Sequence, residues 1–416
     1  MSRLLRGSWA AALIFVFVLV PAKGQALFEI EGEGWGLAGS AAVNAALGAA
    51  VNPEDWLLYT EDKDVLWSGD LRLLVEGFAG ERLRGRLNIL QNVRSTSSVV
   101  VPGGFAPSDV ERSSLFSWQQ DDSGNARADL IFDGGALTWG TESNALTLGR
   151  QPVQFSVTTS FTPNDFFAPF APQQFYRVYK PGVDAVRYDH RLADLAQLSL
   201  VGVLGYEEDP GAANGWRSEP DWRRTSVLGR YVRSTGALEW GLLAGLVREN
   251  GLVGASLQGE LTDWLGLRAE GHYRDSNQVH LASGSMLSAG LEHRFPSSLN
   301  LRLEQMYNSF GYSSIAEADR ALADTTLEPG YLGEHYSAIA MSYEFSPLLT
   351  GQLLYLRNWS DQSHSLSFYA VLSLADEAEL ALQVTLPEGK RPDGQSLGSE
   401  LGMQPLRVGL EYRHYF

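Results

Sequence analysis

Residues 404–416 read QPLRVGLEYRHYF. Leu406, Val408, Leu410, Tyr412 and Phe416 share one parity, and Arg407, Glu411 and Arg413 share the other, with Gly409 among them. A period of two is a strand, here with one apolar and one charged face. Two settings produce that pattern. A strand of a soluble sandwich turns its charges to solvent, whereas a strand of a membrane barrel turns its apolar side to lipid and its charges to a wet interior. The rest of the chain decides between them.

Cysteine is absent from the 416 residues, which excludes disulfides, zinc–thiolate sites and a cysteine nucleophile. The mean hydropathy of −0.13 is too low for a bundle of membrane helices but suits a barrel, where only alternate residues meet lipid. A formal charge of −17 argues against a nucleic-acid partner. Residues 1–24 read as a signal peptide. Arg3 and Arg6 precede an apolar run from Trp9 to Val20, and small residues follow around Gly24. Its removal takes Arg3, Arg6 and Lys23 and no acid, leaving a charge of −20. No later run is long enough for a membrane helix.

Working back from the last strand, alternating stretches recur, separated by turns that are short and long in turn. Residues 287–294 and 299–304 form the clearest pair. Leu287, Ala289 and Leu291 face Leu299, Leu301 and Leu303 on one parity, with Glu292, Arg294, Arg302 and Glu304 on the other. Short turns fall near Ala193, Thr235, Asp263 and Pro296, and long connections at 95–125, 152–180, 207–221 and 311–334. Outer-membrane barrels have this rhythm, with short periplasmic turns and long external loops. The expected fold is therefore all-β: residues 25–416 form one transmembrane antiparallel barrel in the bacterial outer membrane. About seventeen strands are countable from Trp67 onward. An even number is expected, so Gly34–Val43 supplies the first of about eighteen; sixteen is the alternative if 126–151 divides differently. Phe416, at the periplasmic rim, is expected to belong to the signal read during assembly.

Three further stretches stand out. Gly149-Arg150-Gln151 ends one expected strand, Thr162-Pro163-Asn164-Asp165 lies in the next loop, and Pro181-Gly182-Val183-Asp184-Ala185-Val186-Arg187 opens the following strand. Together they resemble a group of porin-like outer-membrane barrels of Gram-negative bacteria, including alginate-export-like members. The resemblance covers roughly residues 126–190 and implies a barrel class rather than a substrate. The residues themselves suggest more. The 152–180 loop carries Phe161, Phe166, Phe167, Phe170 and Phe175 together with several prolines, an apolar content unusual for a loop in water. It is expected to fold into the lumen as a constriction. Arg150 and Arg187 stand at the mouths of the flanking strands, with Asp165 and Asp184 as their candidate partners. The alternative is a loop packed over the rim.

Lumen-parity charges are mixed in sign: Arg72, Arg84, Arg86, Arg230, Arg268, Arg302, Arg407 and Arg413 against Glu76, Glu260, Glu270, Glu292, Glu304 and Glu411. This points to a transverse field for polar solutes, with cross-strand pairing as the simpler explanation of many of them. The expected function is a passive channel for small polar or anionic solutes. A non-conducting structural or surface-interaction barrel is the alternative, and a lipid-modifying barrel enzyme the third reading, with His293 and His414 its only candidates. No catalytic group is otherwise assigned. Histidine spacings rule out a metalloprotease motif, and the acidic runs Asp121-Asp122 and Glu207-Glu208-Asp209 lack EF-hand spacing, so no metal or cofactor is called for. The expected partners are outer-membrane lipids and lipopolysaccharide, the barrel assembly machinery and small polar solutes. Nothing in the chain specifies an oligomeric state.

Overall fold

A computed structural model describes residues 27–416, except 54–58, 60, 97–109, 123–125, 194, 277–281, 324–329 and 394–395. The expected signal peptide lies outside the described residues. Among these, eighteen strands form a ring: Trp35–Val51, Lys63–Ala79, Leu83–Thr96, Ala126–Gly140, Asn144–Gln151, Val183–Ala193, Ala196–Val203, Ser226–Thr235, Leu238–Val247, Asn250–Thr262, Leu265–Asp275, Gly284–Arg294, Asn300–Asn308, His335–Ser346, Leu349–Asn358, His364–Ala375, Ala378–Glu388 and Leu406–Tyr415. Each pairs antiparallel with the next, and the last returns to the first with a register from Ala42↔Tyr415 to Val51↔Leu406. Closure matters because an unpaired backbone group in lipid costs several kcal/mol, and a closed ring leaves no edge in the membrane.

The two faces sort as the alternation requires. In the last strand Val408 and Leu410 are 42% and 46% exposed on the outside, while Arg413 is 3% exposed within. Leu47, Val65, Leu148, Leu200 and Leu287 are likewise exposed. Bare aliphatics outside and buried charges inside invert the plan of a soluble protein and exclude the sandwich reading. At the end that carries the short turns, Trp35, Phe78, Trp139, Trp264, Phe295 and Phe345 form an exposed aromatic rim, the girdle expected where lipid meets water. No helix among the described residues is long and apolar enough to cross a membrane.

Four details depart from the expected layout. The first strand starts with a partner of its own. Phe28–Gly32 pairs with residues 35–39, below the point where Phe416 and Ala41 exchange two backbone hydrogen bonds of 2.8 and 3.1 Å. A short N-terminal strand and the C-terminal residue therefore share one edge of Trp35–Val51. Second, the long polar connection after Thr96 contains the strand Ser117–Asp122, paired to the upper part of Ala126–Gly140. It occupies an edge left vacant because Asn144–Gln151 is only eight residues long. Third, the 207–221 loop is a hairpin of Tyr206–Glu208 and Trp216–Pro220. Fourth, the 311–334 loop contains a helix, Ile315–Ala323. These pieces are short and half-polar, so their periodicity is too brief to separate from loop. One connection at the long-loop end is tight: Arg248 and Glu249 have φ of 47° and 71°, a two-residue hairpin turn whose twist suits its strands.

Candidate functional site

After Gln151 the chain leaves the wall and enters the barrel. Gly149 makes the departure possible. Its φ is 115°, and a Cβ there would sit 2.2 Å from the Gly135 carbonyl oxygen. The chain rejoins the wall at Gly182, where a Cβ would meet the Asp133 carbonyl oxygen at 2.7 Å and Arg150 Cγ at 2.9 Å. Arg150 braces both ends. Its Nε and Nη2 donate to Asp184 at 2.8 and 2.9 Å, Nη1 donates to the Phe132 carbonyl at 2.9 Å and Nη2 to the Ser113 carbonyl at 3.0 Å. Asp184 also accepts from the Ser113 amide and the Tyr206 hydroxyl at 2.9 and 3.0 Å. The two motifs flanking the loop thus meet as one bidentate ion pair.

The segment 110–113 is drawn in beside it. Arg112 and Arg72 both pair with Asp133, at 2.8 and 2.7 Å. Glu111 accepts from Arg224 at 3.0 Å and Arg248 at 2.7 Å. Although burial works against its charge, these arginines and the Tyr206 amide hold the Glu111 carboxyl below its ordinary range.

Within the lumen, residues 152–182 are pinned to opposite walls. Glu270 accepts from the backbone N–H groups of Val157, of Thr158 at 3.3 Å and of Asn164 at 3.2 Å. Glu304 accepts from the amides of Thr159, Ser160 and Phe161 at 3.1, 2.7 and 3.1 Å, and from the Thr159 hydroxyl. Arg268 donates to the Val157 carbonyl at 3.0 Å. Val153, Phe155 and Phe167 join a buried apolar cluster with Val183, Val201 and Leu228 of the wall. On the far side Phe175 stacks on Tyr369 with centroids 5.0 Å apart, and the Tyr176 and Tyr415 hydroxyls meet at 3.3 Å. The guanidinium of Arg413 lies 3.9 Å over the Tyr176 ring, and that of Arg72 lies 4.4 Å over Tyr179. Arg177 ties the loop to itself, donating to the carbonyls of Thr159, Ala171, Pro172 and Gln174. Loop carbonyls and amides that would lose water in the lumen are thereby satisfied.

The assigned partners are only partly those expected. Arg150 takes Asp184. Arg187 pairs with Asp189 at 2.7 Å, and Asp165 pairs with Lys180 at 2.5 Å. The reason is reach. Arg187 and Asp189 are two apart on one strand and share its inner face, whereas Asp165 lies within the folded loop where Lys180 returns past it. Burial pushes the Asp165 carboxyl above its ordinary range, against the pull of Lys180. The wall acids also hold a different position from the one parity suggested: Glu270 and Glu304 are 5% and 4% exposed and face the loop backbone, not open water. Arg268 and Arg302 lie near Glu292, at 3.6 and 3.3 Å. Lys180, Asp133, Arg112 and Glu111 went unassigned in the sequence. Lys180, next to the Pro181-Gly182 motif, was the one with a visible signal.

Between the loop and the short-turn end the lumen opens into a cavity of about 1210 Å3. Its lining includes Arg84, Arg86, Arg187, Glu29, Glu31 and Val178. Arg84 is exposed and has no ion-pair or hydrogen-bond partner among the described residues. Arg86 reaches Glu76 only at 3.5 Å, and both side chains are more than half exposed. Val178 of the loop is 62% exposed. The two histidines of the enzyme reading sit in aromatic surroundings. His293 lies 4.1 Å from Phe295 and approaches the Trp264 carbonyl; His414 lies 4.4 Å from Phe416. Among the described residues no group of three histidine or acidic side chains is arranged to hold a metal.

The closed antiparallel barrel of eighteen strands is shared with known structures. The fold is that of the Occ porins. OccK2 (OpdF) of Pseudomonas aeruginosa, solved in complex with glucuronate, superposes with a TM-score of 0.57 at 11% identity, covering 91% of this chain and 98% of its own. OccAB3 of Acinetobacter baumannii gives 0.56 at 10% identity, covering 91% and 99%. OccK7 (OpdD) of P. aeruginosa gives 0.54 at 13%, covering 91% and 98%. No family model and no curated protein matches the sequence. The barrel fold is thus shared at a sequence identity of 13% or less.

Proposed function

We propose that the chain is an outer-membrane channel for the passive diffusion of small polar or anionic solutes, with residues 152–182 as its constriction. The observation that carries this reading is the loop itself, held across the lumen from Glu270 and Glu304 to Arg413 while an open cavity lined by the unpartnered Arg84 and the weakly paired Arg86 remains below it. A barrel serving only as a scaffold has no use for an interior partition fixed at this many points. Arg84 and the weakly held Arg86 are the cations we assign to the solute path, in a cavity that Glu29 and Glu31 also line, while Arg187, paired with Asp189, belongs to its wall. Arg150, Asp165 and Asp184 act on that path by shaping its wall. The occurrence of glucuronate, a sugar carboxylate, in a barrel of the same fold supports an anionic cargo. Outer-membrane lipid and lipopolysaccharide meet the outer face, and Phe416 at the seam is offered to the assembly machinery.

Deletion of Thr162 to Pro172 tests the constriction. In planar bilayers the folded variant is expected to show a higher single-channel conductance. A folded variant with unchanged conductance would exclude the loop as the narrowest point, and a folded wild-type barrel that never conducts would favour the scaffold reading.

A further inference from the structure

Three long-end connections meet above the tip of the inward loop. They contribute residues 312–318 and 331–334, 358–363 and 397–401, and Glu400 is where they touch. Glu400 is 4% exposed. Its Oε2 accepts from Asn358 Nδ2 at 2.8 Å and from the Tyr336 hydroxyl. Its Oε1 is buried with no hydrogen bond of good geometry among the described residues, although the nearby Leu332 amide partly favours the charged form. The Glu400 amide donates to Asp361 at 2.7 Å, and the next residue, Leu401, donates its amide to the Ser363 hydroxyl at 3.2 Å. A cavity of about 10 Å3 lies against the carboxyl, room for one water at most.

The partners of Glu400 lead directly to the constriction. The Tyr336 ring lies 5.9 Å from that of Phe161, and Tyr331 lies 5.8 Å from Phe161 on another side. Phe161 is 1% exposed, seated with Met306, Leu354, Leu356 and Leu401. Its amide is one of those held by Glu304. The seat of the loop tip is therefore built partly from an external loop, through Leu401 and through the Glu400–Tyr336 hydrogen bond.

We propose that Glu400 is a positioning residue of the constriction: its neutral carboxyl keeps the Phe161 seat closed, and its ionised form loosens the seat, so that the external loops transmit pH to the channel. This rests on the reading of residues 152–182 as the constriction. The physical reason is the poorly partnered oxygen. A neutral carboxyl leaves one weakly polar atom unsatisfied, whereas a carboxylate leaves part of a full charge buried with room for one water at most beside it. The ionisable groups facing it from the surrounding elements are Tyr336, Tyr331 and Asp361, and none is a cation. Arg177 and Glu304 lie beyond Tyr331, Asp319 of the helix holds the Leu397 amide, and Lys390 of its own loop is exposed near Asp393. Burial, reinforced by Asp361, raises the carboxyl from 4.5 to about 7 in the docked state. The undocked carboxyl ionises first, so docking weakens as pH rises from about 4.5 to about 7 and changes no further above that.

The test is single-channel recording of the full chain across that pH window, with hydrogen exchange of the 159–161 amides, corrected for intrinsic rates, on the same preparations. Wild type is expected to show current fluctuations that become severalfold more frequent, and amides that exchange severalfold faster, as pH rises. Glu400→Gln, isosteric and uncharged, is expected to hold the low-pH behaviour throughout. Phe161→Ala is expected to show fast exchange at every pH. The same pH dependence in Glu400→Gln as in wild type would overturn the proposal. A barrel that does not conduct defeats the channel reading alone, because the exchange measurement still decides whether Glu400 controls the seat.

Discussion

Arg150 and Arg84 both project inward from the same wall, and their surroundings differ in kind. Arg150 is 5% exposed and its guanidinium is divided between Asp184 and two carbonyls. Arg84 is exposed on the lumen wall with no partner among the described residues. The first is committed to architecture: it closes the neck of the inward loop and holds the segment around Ser113. The second keeps its charge available to whatever enters the cavity. The sequence placed Arg150 at the mouth of a strand and Arg84 among the lumen-parity charges, but gave no sign of which would keep its charge free. The difference teaches that a lumen charge serves a solute only where the fold has left it without a protein partner.

Three substitutions sharpen this contrast. The largest effect is expected from Asp184→Ala, which strands the Arg150 guanidinium in a buried site. Breaking such a pair from one side costs about 3–5 kcal/mol. The expected outcome is a lower unfolding midpoint and a protease-sensitive 152–182 segment; an unchanged midpoint would mean that Arg150 is not the brace described. Gly149→Ala comes next. It places a side chain at φ 115° against the Gly135 carbonyl, a strain of about 1–3 kcal/mol, read as lowered stability with partial release of the loop. The smallest effect on stability belongs to Arg84→Gln combined with Arg86→Gln, less than about 1 kcal/mol because these groups are exposed and weakly paired. Its effect on function runs the other way. The reversal potential in a salt gradient is expected to shift severalfold toward cations. A selectivity equal to that of wild type would place the solute path elsewhere.

The same contrast explains what was legible beforehand. The strands and their faces follow from alternation and turn length, which neighbouring residues encode; the choice of eighteen over sixteen came from the pairing of the closed ring. The inward loop was legible too, from phenylalanines and prolines where a solvent loop would be polar. The carboxylates that hold it were not. Glu270 meets Val157 across 113 residues and Glu304 meets Phe161 across 143, and both looked like ordinary lumen charges. Asp165 and Arg187 were close in sequence and had the right signs, yet each found a nearer partner once the loop had folded.

Sequence alone determined the barrel, because a period of two and the spacing of turns act within a hairpin and need no knowledge of distant chain. It also marked the neck of the loop, because Gly149, Arg150, Gly182 and Asp184 flank it in order. Only the tertiary structure decided which charges are buried and which remain free. Ring closure and the path of one inward loop set that, by placing backbone amides against Glu270 and Glu304 and leaving none beside Arg84. The energy of a charge depends on the donors, acceptors and water around it, and those are supplied by residues a hundred positions away.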